Sequence, residues 1–399
     1  MMSFADEGEA ILVDLQRLRR ELHRIPELDL ELPATRARVL EELEGLPLRL
    51  TLGERCSSIV AVLDGALPGP TVLLRADMDG LPVPEETGLP YASTNGSMHA
   101  CGHDLHMAGL VGAARLLCAH RAELAGTVVF MFQPGEEAAG GAKVMLEEDL
   151  LKASGSTPIA AYGIHVWSNL PTGVFTTRRG TVMASANRIN IAVTGRGGHS
   201  SAPATTIDPV PALCELVLAL QTTVTRKVDV FDPVVLSVTQ LTGSAAINAI
   251  PTTATLGASV RTLAPDTTDL VEHLIGQAAR EVSAAHQCSA EVAFQRHYPA
   301  TRNDPATTAT ALGWLADEFG ADRVTELDNP VMGSEDFSYV LEEVPGTFIL
   351  LGALGEGLDP ATAATNHAST VIFDDAVLGA EAAALASLAW RRLEEARAA

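Results

Sequence analysis

Lysine is nearly absent. Lys143, Lys152 and Lys227 are the only three in 399 residues, and Lys and Arg together number 27 against 50 Asp and Glu, for a formal charge of -23. Binding to a phosphate backbone depends on clustered Lys and Arg, so nucleic acid is excluded as a partner, and anionic membrane surfaces would repel the chain. The five cysteines, Cys56, Cys101, Cys118, Cys214 and Cys288, are odd in number and scattered, which argues against a disulfide-stapled scaffold and predicts reduced thiols. No apolar run reaches the ~18–20 residues of a spanning helix, and Met1 to Glu9 carries neither the basic nor the apolar region of a secretory signal. A soluble cytoplasmic protein with no membrane partner is expected. Internal repeats, a Gly-X-Y period and low-complexity linkers are also missing, whereas 47% of the residues are hydrophobic. Such a chain can bury sizeable cores, and its length exceeds the ~100–200 residues of one domain, so two are expected.

The segment Glu9 to Arg24 repeats Leu and Ile at helical spacing and stops at Ile25-Pro26. Short apolar runs follow at Ser57–Leu63, Thr71–Ala76, Thr127–Phe132 and Ile159–Val166, alternating with helical patterns at Leu105–Arg121 and Gly141–Leu151. This is the signature of strands buried on both faces of a mostly parallel sheet covered by helices, an α/β fold. After Arg188 the texture changes to a strand-helix-strand-strand-helix-strand series, which predicts an inserted α+β unit of the split-βαβ, ferredoxin-like kind. The expected division is 1–186 and 298–399 for the larger domain and 187–297 for the insert.

Residues able to do chemistry gather at predicted strand ends. Asp77 and Asp79 follow the strand Thr71 to Arg75, and Gln133-Pro134-Gly135-Glu136-Glu137 follows Thr127 to Phe132. His165 closes the run Ile159 to Ile164, and Met98 to His106 packs His99, Cys101, His103, Asp104 and His106 into nine residues. In an extended stretch Cys101 and His103 would face one centre, as metal ligands do. Asp104 would cap the following helix. On adjacent positions of an extended chain, one of Glu136 and Glu137 could bind a metal while the other deprotonates a water, the division metal-assisted hydrolysis requires. Each segment alone also fits a bland reading: turn-forming Asp, a solvated Glu pair, a hydrogen-bonded edge His, a reactive or structural Cys-His pair. Ligand types ending four successive predicted strands at one sheet edge favour the metal site.

These segments, with Leu22-His23-Arg24-Ile25-Pro26-Glu27, Gly197-Gly198-His199 and Met332-Gly333-Ser334-Glu335-Asp336-Phe337, resemble the aminoacylase and carboxypeptidase family of dinuclear metal-dependent amidohydrolases, in its hippurate hydrolase and indoleacetyl-amino-acid hydrolase branch. The resemblance implies an exopeptidase-like catalytic domain, a dimerising insert and a small substrate, an N-acyl amino acid cleaved at its amide bond. It implies two divalent ions held by Cys101, His103, Glu137, His165 and His367, with Glu136 as general base and Asp79 orienting a ligand. His199 would stabilise the anionic intermediate in the partner subunit of a homodimer, while Asn248 and Arg261 would grip polar groups of the substrate. A thiolate ligand favours Zn over Mg or Ca, with Mn, Co and Ni also acceptable. The chain departs from the family pattern at Gly135, Leu105, Ala204 and Ala368-Ser369, and the departures at Leu105 and Ala204 leave substrate preference open more than the chemistry. A dipeptidase or carboxypeptidase on the same scaffold, a non-catalytic binding dimer and a metal-free Cys101 nucleophile are the competing readings.

Overall fold

Apolar residues at helical spacing in the opening segment form two pieces, α1 (Ala5–Ala10) and α2 (Leu12–His23), in the computed structural model, which describes residues 3–398. Leu15, Leu18, Arg19, Leu22 and His23 make the buried face of α2, so its inner side sets Arg19 and His23 among three leucines. The chain then runs through α3 (Pro33–Leu43), β1 (Arg49–Leu52), β2 (Ile59–Asp64), β3 (Leu67–Asp77), α4 (His103–Ala119), β4 (Ala125–Gln133), α5 (Gly141–Glu147), β5 (Ala160–Trp167), β6 (Phe175–Thr177) and β7 (Gly180–Met183). It continues with β8 (Ala186–Thr194), β9 (Gly198–His199), α6 (Pro209–Lys227), β10 (Val235–Thr242), β11 (Ala249–Ile250), β12 (Thr253–Arg261), α7 (Pro265–Ala285) and β13 (Ser289–Tyr298). The last part holds β14 (Thr301–Asn303), α8 (Pro305–Phe319), β15 (Val324–Glu326), α9 (Ser338–Glu343), β16 (Gly346–Gly352) and α10 (Leu378–Ala398).

Two units divide the chain: Met1–Val182, Arg302–Asn329 and Asp336–Ala399 in one, Met183–Thr301 and Pro330–Glu335 in the other. The first unit is built on an eight-stranded sheet in the order β1-β2-β4-β3-β5-β16-β6-β15. Its centre is parallel, since β3 pairs in parallel with both β4 and β5, and β16 with β5. At one margin β2 runs antiparallel to β4 and β1 to β2. Parallel strands are buried on both faces, which is why β3, β4, β5 and β16 read as unbroken apolar runs in the sequence. Their C-terminal ends share one edge of the sheet, where ligands of open α/β sheets collect.

The second unit is a four-stranded antiparallel sheet in the order β10-β12-β8-β13. Ile189, Ile191 and Val193 alternate along β8 onto a core shared with Leu213, Leu216 and Leu220 of α6 and Val271 and Ile275 of α7. The β8-α6-β10-β12-α7-β13 series gives the split-βαβ arrangement. Beside it, β9 and β11 form a two-residue ladder that pairs His199 with Ala249.

Candidate metal centre

Four chain segments of the first unit carry the donors. Gly102, at φ +89°, turns the chain into α4, so Cys101 sits in the turn and His103 opens the helix. The extended Cys101–His103 stretch expected from the sequence is therefore replaced by a turn and a helix start, with Gly102 N–H bonded to the His99 carbonyl at 3.2 Å. These two ligands come from a helix N-terminus and not from a strand end, and His165 lies within β5, two residues before its close. Glu137 follows β4, and His367 stands on a loop at φ +75°, its N–H bonded to the Ala100 carbonyl at 2.8 Å.

Side chains from all these segments meet. Cys101 Sγ lies 3.2 Å from His367 Nε2 and 3.4 Å from His165 Nε2. Glu137 Oε1 is 3.5 Å from His367 Nε2 and 3.9 Å from His103 Nε2. Cys101, His103 and Glu137 each offer a donor atom within 4.8 Å of the others. His165 Nδ1 donates to the Val166 carbonyl at 2.8 Å, which leaves its Nε2 lone pair facing Cys101. Both ring nitrogens of His103 and Oε1 of Glu137 are buried without a hydrogen-bond partner. Native structures rarely leave buried polar atoms unpaired, and a thiol, imidazoles and a carboxylate oxygen converging on one point are the donor set of a transition-metal site. The residues present fit a metal.

A second group, Asp77, His103, His106 and His165, also has ligand-type atoms close together. Hydrogen bonding separates its members. His106 Nδ1 donates to Asp77 Oδ1 at 2.5 Å and its Nε2 accepts the Val166 N–H at 2.8 Å, so neither nitrogen is free for a metal. Asp77 Oδ2 accepts from Arg75 Nη1 at 2.6 Å. Both are supports behind the ligands, a role the sequence reading did not give them. His106, one helical turn after His103 on the same face of α4, carried the signal for it.

The electrostatics of the donor group are strongly perturbed. Against the opposing effect of burial, Asp77, Asp79 and Glu137 push His103 up to about 10. Burial, with Asp79 and Asp77, pushes Glu137 up to about 7. Burial and then the Glu137 and Glu136 charges push the Cys101 thiol well above its ordinary range. Burial also holds His165 well below the usual imidazole value, in the neutral form that ligates. A bound metal inverts this logic by stabilising thiolate and carboxylate together.

Asp79 accepts the backbone N–H groups of Glu136 and Glu137 at 2.9 and 3.1 Å, and lies 3.6 Å from His103 Nδ1. It fixes the turn bearing both glutamates. Asp104 is not the expected cap: Gly102 holds that position, and Asp104 Oδ2 accepts Arg19 Nε at 2.7 Å and His23 Nδ1 at 2.8 Å. The carboxylate is thereby kept ionised far below its usual range, against burial. This ties the His-bearing end of α2 to the ligand-bearing end of α4. Leu105 is fully buried in the hydrophobic core of the first unit.

His199, Asn248 and Arg261 belong to the second unit. His199 is exposed on β9, its Nδ1 bonded to Ser201 Oγ at 2.7 Å, and Ser200 N–H donates to the Asn248 carbonyl at 3.1 Å. Asn248, just before β11, thus lies beside the end of β9 that carries His199. Arg261 ends β12, half-buried with Nη1 unpartnered, its pKa lowered by burial and by Arg188.

Comparison with known proteins bears on the same residues. Residues 73–390 match the family described as peptidase family M20/M25/M40. The chain is 35% identical to the N-acetylcysteine deacetylase of Bacillus subtilis over 90% of its own length and 93% of that protein's. It is 36% identical to the IAA-amino acid hydrolase ILR1-like 2 of Arabidopsis thaliana, covering 99% and 88%. The solved Bacillus subtilis YXEP protein, a dinuclear metal-binding peptidase of the M20 family, superposes with a TM-score of 0.83 at 31% identity, covering 96% of this chain and 99% of that one. With its helix-covered sheet, its antiparallel second unit and its converging thiol, imidazole and carboxylate donors, the chain belongs to peptidase family M20/M25/M40.

Proposed function

We propose that this metal-dependent amide hydrolase cleaves N-acyl amino acids, adding water across the amide bond to release a carboxylic acid and a free amino acid. The observation that carries the reading is the turn hung from Asp79: Glu137 Oε1 joins Cys101 and His103 in the donor group, while its neighbour Glu136 stays outside that group. A site with a metal ligand and a second buried carboxylate on adjacent residues is equipped for hydrolysis, and a binding module needs no such pair. Names of the two relatives, one acting on an N-acetyl amino acid and one on an amino acid conjugate, support the substrate class.

In this reading Cys101, His103, Glu137, His165 and His367 hold two divalent ions drawn from Zn, Mn, Co and Ni. Such ions, when bound, supply Lewis-acid polarisation of the scissile carbonyl and a water acidified toward neutral pH. Glu136 takes the proton of the attacking water and delivers it to the departing nitrogen, so the amine leaves neutral. Asn248 and Arg261 hold the polar groups of the substrate, the Arg fork suiting its carboxylate. His199 steadies the oxyanion in the partner subunit of a homodimer. The free cysteines support work in the cytoplasm.

Elemental analysis of protein purified without chelator, assayed against N-acetyl-, N-benzoyl- and indoleacetyl-amino acids beside dipeptides, tests the proposal. Two transition-metal equivalents and acyl-amino-acid cleavage that is lost on chelation and restored by metal are expected. Absence of metal under every loading condition, or turnover of dipeptides alone, would overturn it.

A further inference from the structure

The loop that presents Glu136 is short and tightly made. It leaves β4 at Gln133 and enters α5 at Gly141, with the N–H groups of Ala139 and Gly141 both bonded to the Gly135 carbonyl at 3.2 Å. Gly135 has φ +73°, and a Cβ on Gly141 would fall 1.6 Å from the Pro134 carbonyl oxygen, so two glycines are required for this path. Asp79 holds its tip. What holds its two ends is a single carboxylate, that of Asp336, in the Gly333-Ser334-Glu335-Asp336-Phe337 motif, 203 residues after Gln133.

Asp336 Oδ1 accepts Gln133 Nε2 at 2.6 Å, where the loop begins, and Asp336 Oδ2 accepts the Ala142 N–H at 2.9 Å, where it ends. Arg75 locks the arrangement from β3. Its Nε donates to Gln133 Oε1 at 2.9 Å, its Nη2 to Asp336 Oδ1 at 3.3 Å and its Nη1 to Asp77 Oδ2 at 2.6 Å. The guanidinium also lies over the Phe337 ring, 5.6 Å from its centroid. Arg75, Asp77, Gln133 and Asp336 are all fully buried. In that setting each hydrogen bond is geometrically demanding, because an unmade one leaves a buried charge or donor uncompensated. The lattice joins the supports of the imidazole ligands, through Asp77, to both ends of the loop carrying the base.

We infer that Asp336 is a positioning residue for catalysis: by clamping Gln133 and Ala142 it fixes where the Glu136 carboxylate stands relative to the ligand cluster. The inference rests on Glu136 being the base. Misplacement of a reacting group by about 1 Å can cost on the order of 10²-fold in rate, whereas substrate and metal contacts made elsewhere are untouched. The clamp therefore acts on kcat.

The donor and acceptor pattern supplies a test by exchange. In Asp336→Asn, the amide oxygen must serve Ala142 N–H, which turns the amide nitrogen toward Gln133 Nε2 and Arg75 Nη2, donor against donor. In Gln133→Glu, two carboxylates face each other. Combining the two re-pairs the beginning of the loop, because Glu at 133 accepts from both Arg75 Nε and the new Asn amide, and only the long Arg75 Nη2 contact of 3.3 Å stays unpaired. Each single variant is expected to lower kcat at least roughly tenfold with KM within about threefold and metal content unchanged, and the double variant to regain most of the loss. Melting curves on metal-free protein report folding independently of activity, and should Asp336→Asn fail to fold, Gln133→Glu carries the same expectation. A folded, metal-loaded Asp336→Asn with wild-type kcat, or a folded double variant no better than the singles, would overturn the clamp. Glu136→Gln made in parallel separates the two failures: if it stays active, the base assignment is wrong; if it is dead while Asp336→Asn is not, only the clamp is.

Discussion

Among single residues, Glu136 and His367 make opposite demands on the fold. Glu136 is buried and spends its side chain on no ligand of the donor group, so Glu136→Gln is expected to keep its metal while turnover falls by about 10²–10⁴-fold, read from steady-state rates beside elemental analysis. His367 occupies a left-handed backbone conformation at φ +75°, which costs a residue with a Cβ roughly 1–2 kcal/mol. That strain is kept because it turns the imidazole toward Cys101 Sγ. His367→Gly should remove strain and ligand together. Denaturant unfolding of chelated protein should show the variant as stable as the parent or more so, and metal titration should show weaker binding; a variant that binds metal as tightly as the parent would take His367 out of the ligand set.

Between elements, the crossing of α4 and α10 holds a group the hydrolytic reading does not use. Glu381 is fully buried there with both carboxyl oxygens unpartnered, in space left by Gly109, where a Cβ would lie 2.6 Å from Glu381 Cδ. Burial, reinforced by the charges of Asp77 and Asp104, pushes its pKa well above the carboxylate range. The unfolded chain gives up this proton near pH ~4.3 while the folded chain keeps it. Stability from this group is therefore complete below that pH and declines as pH rises toward the folded pKa, by at most about 1.4 kcal/mol per unit. Glu381→Gln cannot lose a proton, so its stability advantage over the parent should widen between pH 5 and pH 8 in denaturant midpoints; an advantage independent of pH would contradict a neutral Glu381. Such a residue shows what the sequence could and could not reveal at this scale. Buried parallel strands announced themselves as apolar runs, and β8 by its alternation, because burial imprints composition locally. The Asp104–Arg19–His23 contacts and the bonds of His106 to Asp77 and Val166 depend on partners tens of residues distant, which no local pattern encodes. The candidate donors Cys101, His103 and His165 stood out in the sequence because Cys and His are scarce in this chain, whereas the supporting roles of Arg75 and Asp77 behind them did not, because Arg and Asp are common.

Over the whole molecule, exposed apolar surface is unevenly shared. Of the 12 large hydrophobic residues exposed among the described residues, 8 (Leu218, Val230, Phe231, Val235, Leu241, Ile247, Leu270 and Met332) fall in the second unit, which holds under a third of the chain. Val235 and Leu241 lie on β10, an edge strand of the antiparallel sheet, and Val230 and Phe231 just before it. An uncovered apolar edge invites pairing with another chain, and in a protein of charge -23 a self-complementary apolar face is one place where two copies can meet without strong repulsion. The proposed homodimer would use it. Phe231→Asp combined with Leu241→Asp places new charges on that face without touching the core, so light scattering should show monomers where the parent gives dimers, at unchanged melting temperature. Cys101, His103, Glu137, His165 and His367 all belong to the first unit, so the monomer should keep its full metal content. His199 belongs to the second, and on the proposed reading it serves the other chain's site. Turnover should then fall with dimer content as the protein is diluted or mutated. A folded monomer that hydrolyses as fast as the parent would show that His199 does not act across the interface, while leaving the metal-dependent chemistry of the first unit intact.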